Sequence, residues 1–290
     1  MRIDLGVLLS FLVLASGSHG RQEPISLSKN PVTADAFDVA QAMRMFYGNY
    51  DVRSRTSITQ LPKNTTSLPA PGEEQMTVGV LFHSFVGEPS ARSLFLLTYA
   101  IPSEDETYDC HACAPVIGMS VFTRNGGTWT IDASNRAVTF AGEWGKPPRD
   151  IELVKIGSNL TAVKIVDVGK GNGETTAVLD ILVPWNHTVK LGLQRVIADD
   201  DKGVCDPEGL PCYENHRTIS FVRHDGTEYY DIELKLSGTD LPLNDSTFRR
   251  SRKVSGLETF RLVDGIFIRV SKEGDRTSFD ETVAKRKNKN

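Results

Sequence analysis

From residue 76 onward the chain alternates short runs of Val, Ile, Leu, Phe and Thr with clusters of Gly, Asn, Asp and Pro. The runs fall at 77–86, 93–101, 116–123, 128–133, 151–156, 160–168, 174–183, 187–197, 217–223, 228–236 and 257–270. Their length and β-branched content suit strands rather than helices. Alternation is clear in 160–168: Leu160, Ala162, Lys164, Val166 and Val168 share one face, and Thr161, Val163, Ile165 and Asp167 share the other. Where both faces are apolar, the strand is expected to be central.

Turn chemistry punctuates the runs. Asn125-Gly126-Gly127, Gly169–Gly173 and Asp225-Gly226 offer residues that tolerate positive φ, and Asp264-Gly265 predicts a hairpin between LETFRLV and IFIRVS. The pattern predicts an all-β fold, mainly antiparallel, built as a sandwich, a barrel or a propeller-like array. Stretches 76–133, 150–198 and 216–270 share a faint paired-strand layout, compatible with a pseudo-repeat of strand pairs, but the identity between them is too slight to establish one.

One segment breaks this period. Ala36, Phe37, Ala40, Met43 and Tyr47 recur at helical spacing, with Asp38, Gln41 and Arg44 on the other side. This predicts one amphipathic helix over about 33–47, capped by Thr33, stopped by Gly48 and docked on the β core. The expected organisation is a signal peptide over 1–20, an N-terminal arm over 21–75 holding this helix and a Ser/Thr/Pro-rich linker, a β domain over 76–272, and a basic mobile tail over 273–290. The signal peptide is read from Arg2, the apolar run Leu5–Ala15 and the small residues Gly17, Ser18 and Gly20. That run is too short to span a bilayer, and no later run approaches the roughly 20 apolar residues of a span, so the expected location is periplasmic or extracellular, without a transmembrane segment.

Composition changes this picture little. Apolar residues make up 39% and charged residues 24%, which suits a packed domain. A net charge of −4 supplies no basic field for nucleic acid. The short basic cluster Arg249–Lys253 reads as an exposed loop, like the lysine-rich end of the tail. Asn64, Asn159, Asn186 and Asn244 each begin a glycosylation acceptor triplet, which matters only in a eukaryotic secretory route.

Four cysteines stand at 110, 113, 205 and 212. For an exported chain they predict two structural disulfides, with local pairing of Cys110–Cys113 and Cys205–Cys212 favoured among three connectivities. Cys110-His111-Ala112-Cys113 also has the form of a redox dithiol, but a strand-like run follows it where such motifs begin a helix. A zinc site from these thiols and His111 is the further alternative, and haem attachment fails because position 114 is Ala. Asp199, Asp200, Asp201, Asp206 and Glu208 gather hard oxygen donors beside the second cysteine pair, a candidate calcium loop without the helix–loop–helix spacing. The glycine-rich 169–173 stretch precedes a strand, so it reads as a hairpin turn and not a phosphate loop.

Trp144 stands among Gly142, Gly145 and Pro147-Pro148, and Trp185 follows Pro184. Aromatics in loops of a β domain, with His111 nearby in sequence, are the candidate contacts for a protein, peptide or glycan. No hydrolase, zinc-protease or kinase motif is present. The expectation is a non-catalytic binding domain without an obligatory cofactor; the alternative is a secreted hydrolase or a thiol–disulfide enzyme using Cys110 and Cys113.

Overall fold

The computed structural model describes residues 32–33, 37–61, 75–88, 91–103, 108–205, 211–241 and 251–275. The expected signal peptide lies outside them, as do Asn64, Asn244, Asp206, Glu208 and most of the expected tail. In chain order the elements are β1 (Val32–Thr33), α1 (Val39–Tyr47), β2 (Thr56–Thr59), β3 (Met76–Val86), β4 (Ser93–Pro102), β5 (Val116–Asn125), β6 (Thr128–Phe140), β7 (Asp150–Lys155), β8 (Thr161–Gly171), β9 (Glu174–Trp185), β10 (Thr188–Asp200), β11 (Glu214–Val222), β12 (Asp231–Asp240), β13 (Arg252–Val263) and β14 (Ile266–Gly274). The fold is all-β with one helix, as the period-2 pattern predicts, and the large sheet does not close into a barrel.

The three similar stretches become three four-stranded antiparallel meanders: β3–β6, β7–β10 and β11–β14. Strand β10 joins them. One of its edges pairs with β9 along its length; the other meets β6 at Thr188, opposite Ser134, and β11 at Ala198–Asp200. The meanders therefore belong to one branched sheet yet pack face against face. In β4, Leu94 and Leu96 point to the core under α1, while Phe95 and Leu97 point to a second core shared with Val163, Ile165 and Leu182 of the middle meander. On the far side of that meander, Leu179, Ile181 and Val183 meet Ile232, Leu234, Phe260 and Leu262 of the third. The order is helix, sheet, sheet, sheet. Burying both faces of the middle meander explains its continuous apolar runs.

Helix α1 begins later than the sequence predicts. Thr33 pairs with Thr128 in a strand, and the cap is Asp38, whose carboxylate accepts the Gln41 N–H at 2.8 Å. Gly48 ends the helix at φ 87°, its N–H donating to the Arg44 carbonyl. Ala42, Met43, Phe46 and Tyr47 are buried, and the Tyr47 hydroxyl hydrogen-bonds Thr98 at 2.6 Å. Within the stretch expected to be linker, Thr56–Thr59 is an edge strand on β3. Arg252 and Lys253, expected in a loop, begin β13 opposite Asp240 and Thr239. Glu273 and Gly274, expected to open the tail, still pair with β13.

Candidate functional site

Both disulfides are local, Cys110–Cys113 and Cys205–Cys212, and no described cysteine is free, which removes the zinc alternative for these thiols. Although 95 positions separate Cys110 from Cys205, the two cross-linked loops meet on one element, the β8–β9 hairpin tip. This tip turns through Asn172 and Gly173, at φ 53° and 79°, which settles the glycine-rich stretch as a hairpin. On one side the His111 Nε2–H donates to the Lys170 carbonyl at 2.5 Å, with the ring against Gly171, where a Cβ would lie 3.0 Å from Cε1. On the other, the Gly203 N–H donates to the Gly173 carbonyl at 2.8 Å.

The first disulfide loop also fixes the turn that carries Trp144. Glu143 and Lys146 exchange backbone hydrogen bonds at 3.1 and 2.9 Å, closing a two-residue turn of Trp144 and Gly145. Both turn residues have positive φ, 55° and 65°, the arrangement of a type I′ turn, which normally takes Asn-Gly. A bulky side chain at positive φ is rare and costs energy. The Trp144 N–H donates to the Cys110 carbonyl at 3.1 Å and the Gly145 N–H to the Cys113 carbonyl at 2.8 Å, so the disulfide loop holds the turn. Trp144 is 43% exposed, and His111 packs edge-on to its ring with centroids 5.6 Å apart. Glu143 Oε2 lies 3.4 Å from His111 Nε2.

An open depression of about 410 Å³ begins just beyond the turn, lined by Lys146, Pro147, Pro148 and Arg149 with Leu81, Phe82 and Ile151. Sequence reasoning singled out Trp144 and its prolines but missed the cationic and β3 contributions, since Leu81 and Phe82 read as ordinary strand residues. The loop is anchored from below as well: Asp167 Oδ2 accepts the Gly142 N–H at 2.7 Å. Behind this contact lies Asp180, 3% exposed, which accepts from Thr139 and Gln194, each at 3.0 Å. Burial, with a smaller contribution from Asp167, raises its pKa from 3.8 to about 6 despite those two hydrogen bonds.

Trp185 does not join Trp144. It ends β9, twelve residues and roughly 35 Å long, whereas the Trp144 turn stands by the hairpin that begins β9. Trp185 packs edge-on to Tyr229 at 5.4 Å and covers Gly265, so its contacts belong to the third core.

The acidic stretch is divided by the alternation of β10. Asp199 is buried, accepting from Thr176 at 3.2 Å and from the Tyr213 hydroxyl at 3.3 Å, and burial raises its pKa. Asp201 caps the disulfide loop by accepting the Tyr213 N–H at 2.8 Å, and Asp200 accepts the Lys202 N–H at 3.2 Å. Among the described residues no three His, Cys, Asp or Glu side chains form a metal-holding group, and no helix is long and apolar enough to cross a membrane. Comparison with known proteins gave no match to a family model, a curated protein or a solved structure.

Proposed function

We propose that the protein is an exported, non-catalytic binding protein that receives its ligand on the Trp144 turn and the adjoining depression. The observation that carries this reading is the placement of an exposed tryptophan at a position whose backbone favours asparagine. Folding alone gives no reason for the choice, because the indole stays half in solvent and its conformation is strained. Disulfide, hairpin and backbone contacts hold the turn that carries the ring, which lowers the entropy cost of binding. Its face can stack on a sugar or a proline, and Lys146 and Arg149 line the neighbouring depression. The complementary ligand has a flat apolar face beside an acidic group, as acidic glycans and acidic peptides do. Two disulfides and the apolar leader support an exported setting.

Arrays of acidic and neutral glycans and peptides, probed with wild type and Trp144→Ala, test the reading. It predicts binding to acidic members that weakens at high salt and is lost in Trp144→Ala. Retention of every interaction by Trp144→Ala would refute it.

A further inference from the structure

The first and second meanders pack face to face. Among the described residues, strand pairing closes one side of that sandwich, where β6 meets β10 at Ser134 and Thr188. On the opposite side stand β3 and β7, and the depression beside the Trp144 turn lies between them, lined by Leu81 and Phe82 of β3 and Ile151 of β7. Among the described residues β7 pairs with β8 alone, and β3 has no second neighbour beyond Gly79, where its pairing with β2 stops. Two strand edges therefore flank one depression, each with backbone N–H and C=O groups that no described strand takes up.

The two edges differ. Leu81 is an extra residue in β3: Val80 stands opposite Thr98 and Phe82 opposite Leu97, so the register breaks there. Neighbours on a strand normally point to opposite faces, but the bulge re-aims this pair, and Leu81 and Phe82 both reach the depression. A bulged edge is a poor template for a further strand. Strand β7 has no such break. Its six residues pair in sequence, from Asp150 opposite Val166 to Lys155 opposite Thr161, and none is proline. Alternation turns Ile151 and Leu153 toward the second core. Asp150 and Glu152 fall on the other face, where Lys164 of β8 binds the Glu152 carboxylate.

We infer that the outer edge of β7 is a docking edge, and that its partner is an extended acidic peptide segment that adds to it as a further strand. Resting on the Trp144 reading, this docking mode narrows the ligand to a peptide. Main-chain hydrogen bonds along β7 supply affinity, and the alternate side chains supply selection. One apolar side chain of the partner fits against Leu81, Phe82 and Ile151. A glycan has neither a main chain that can continue the ladder nor an aliphatic group for that floor. The charged residues that line the depression are Lys146 and Arg149, both exposed and both just ahead of β7. They complement an acidic residue at that end of the added strand.

The test offers the full chain two fluorescent probe sets: heptapeptides of alternating apolar and threonine residues ending in two glutamates, and oligosaccharides of glucuronic acid. Each peptide is also made with alternate amides N-methylated, in both phases, which removes ladder donors without altering a side chain. Saturable peptide binding is expected, weakened at least about tenfold by N-methylation in one phase and by Arg149→Glu. Amide hydrogen exchange of wild type, which depends on no variant, should slow within 150–155 when peptide is added. Peptide binding that ignores N-methylation in both phases and leaves that exchange unchanged would overturn the docking edge. So would the absence of peptide binding, whether or not the oligosaccharides bind; loss of oligosaccharide binding in Trp144→Ala would then leave the Trp144 reading standing without the edge. Peptide binding that slows exchange within 150–155 and persists in Trp144→Ala would keep the edge and refute the Trp144 reading.

Discussion

Gly173 and Gly203 meet backbone to backbone: a Cβ on Gly203 would lie 2.6 Å from the Gly173 carbonyl oxygen, and one on Gly173 would lie 2.8 Å from the Gly203 carbonyl carbon. This contact docks the second disulfide loop on the hairpin that the first loop holds from the other side. Gly203→Ala is expected to destabilise the protein by about 1–3 kcal/mol, the usual cost of overpacking. Gly169→Ala, in the same hairpin with nothing within 4 Å of its Cβ, should cost much less. Urea denaturation of the two variants checks the difference; equal midpoints would contradict the contact.

The disulfides should be structural. Opening the short Cys205–Cys212 loop by Cys205→Ala is expected to cost about 2.5 kcal/mol, and Cys110→Ala about 2 kcal/mol, on the chain-entropy estimate. The motif at Cys110 leads into β5 and no helix follows to acidify its thiol. Thiol mapping should find no free cysteine in native protein, and an insulin-reduction assay should show no turnover. Rapid turnover would restore the thiol-exchange reading.

Asp180 gives a signed pH dependence. Its folded pKa, about 6, is above its unfolded value near 4, so the native state holds the extra proton in that window. Stability should therefore fall as pH rises from about 4 to about 6, by up to about 3 kcal/mol, and level off above. Asp199, shifted in the same direction, adds to the slope. Asp180→Asn retains an acceptor without the charge. It should flatten the slope and raise stability at neutral pH, and an unchanged profile in chemical denaturation would argue against the assignment.

Much of the architecture was legible because alternation and turn residues agree. Asp264-Gly265, Asp225-Gly226 and Asn125-Gly126-Gly127 turn the chain where expected, and the three similar stretches are the three meanders. What escaped was polar function inside strands. The sequence run of β6 ends at 133, yet the strand continues to Phe140, because Asn135 and Arg136 interrupt the apolar pattern. In the fold Asn135 donates to the Val189 carbonyl at 3.1 Å, and Arg136 donates to the carbonyl of Phe46 in α1. Such residues join layers, and that role has no local signature. Trp144 could be suspected from its loop, but its separation from Trp185 required the direction of β9.

The tryptophans should separate packing from presentation. Trp129, 3% exposed and stacked on Phe37 at 4.4 Å, belongs to the core under α1. Trp129→Ala is expected to cost about 3–5 kcal/mol. Trp144→Asn should leave stability unchanged or raise it by up to about 1 kcal/mol, since asparagine accepts the left-handed turn. A large loss of stability in Trp144→Asn would mean that the ring is held for folding.

The most direct measurement of the binding claim is ¹⁹F NMR of protein carrying 5-fluorotryptophan, its three resonances assigned through single Trp→Phe variants and titrated with the array-selected ligand. The account predicts that the Trp144 resonance shifts in proportion to saturation while the Trp129 and Trp185 resonances stay in place. Saturable binding that leaves the Trp144 resonance unmoved, or that moves Trp185 instead, would contradict it.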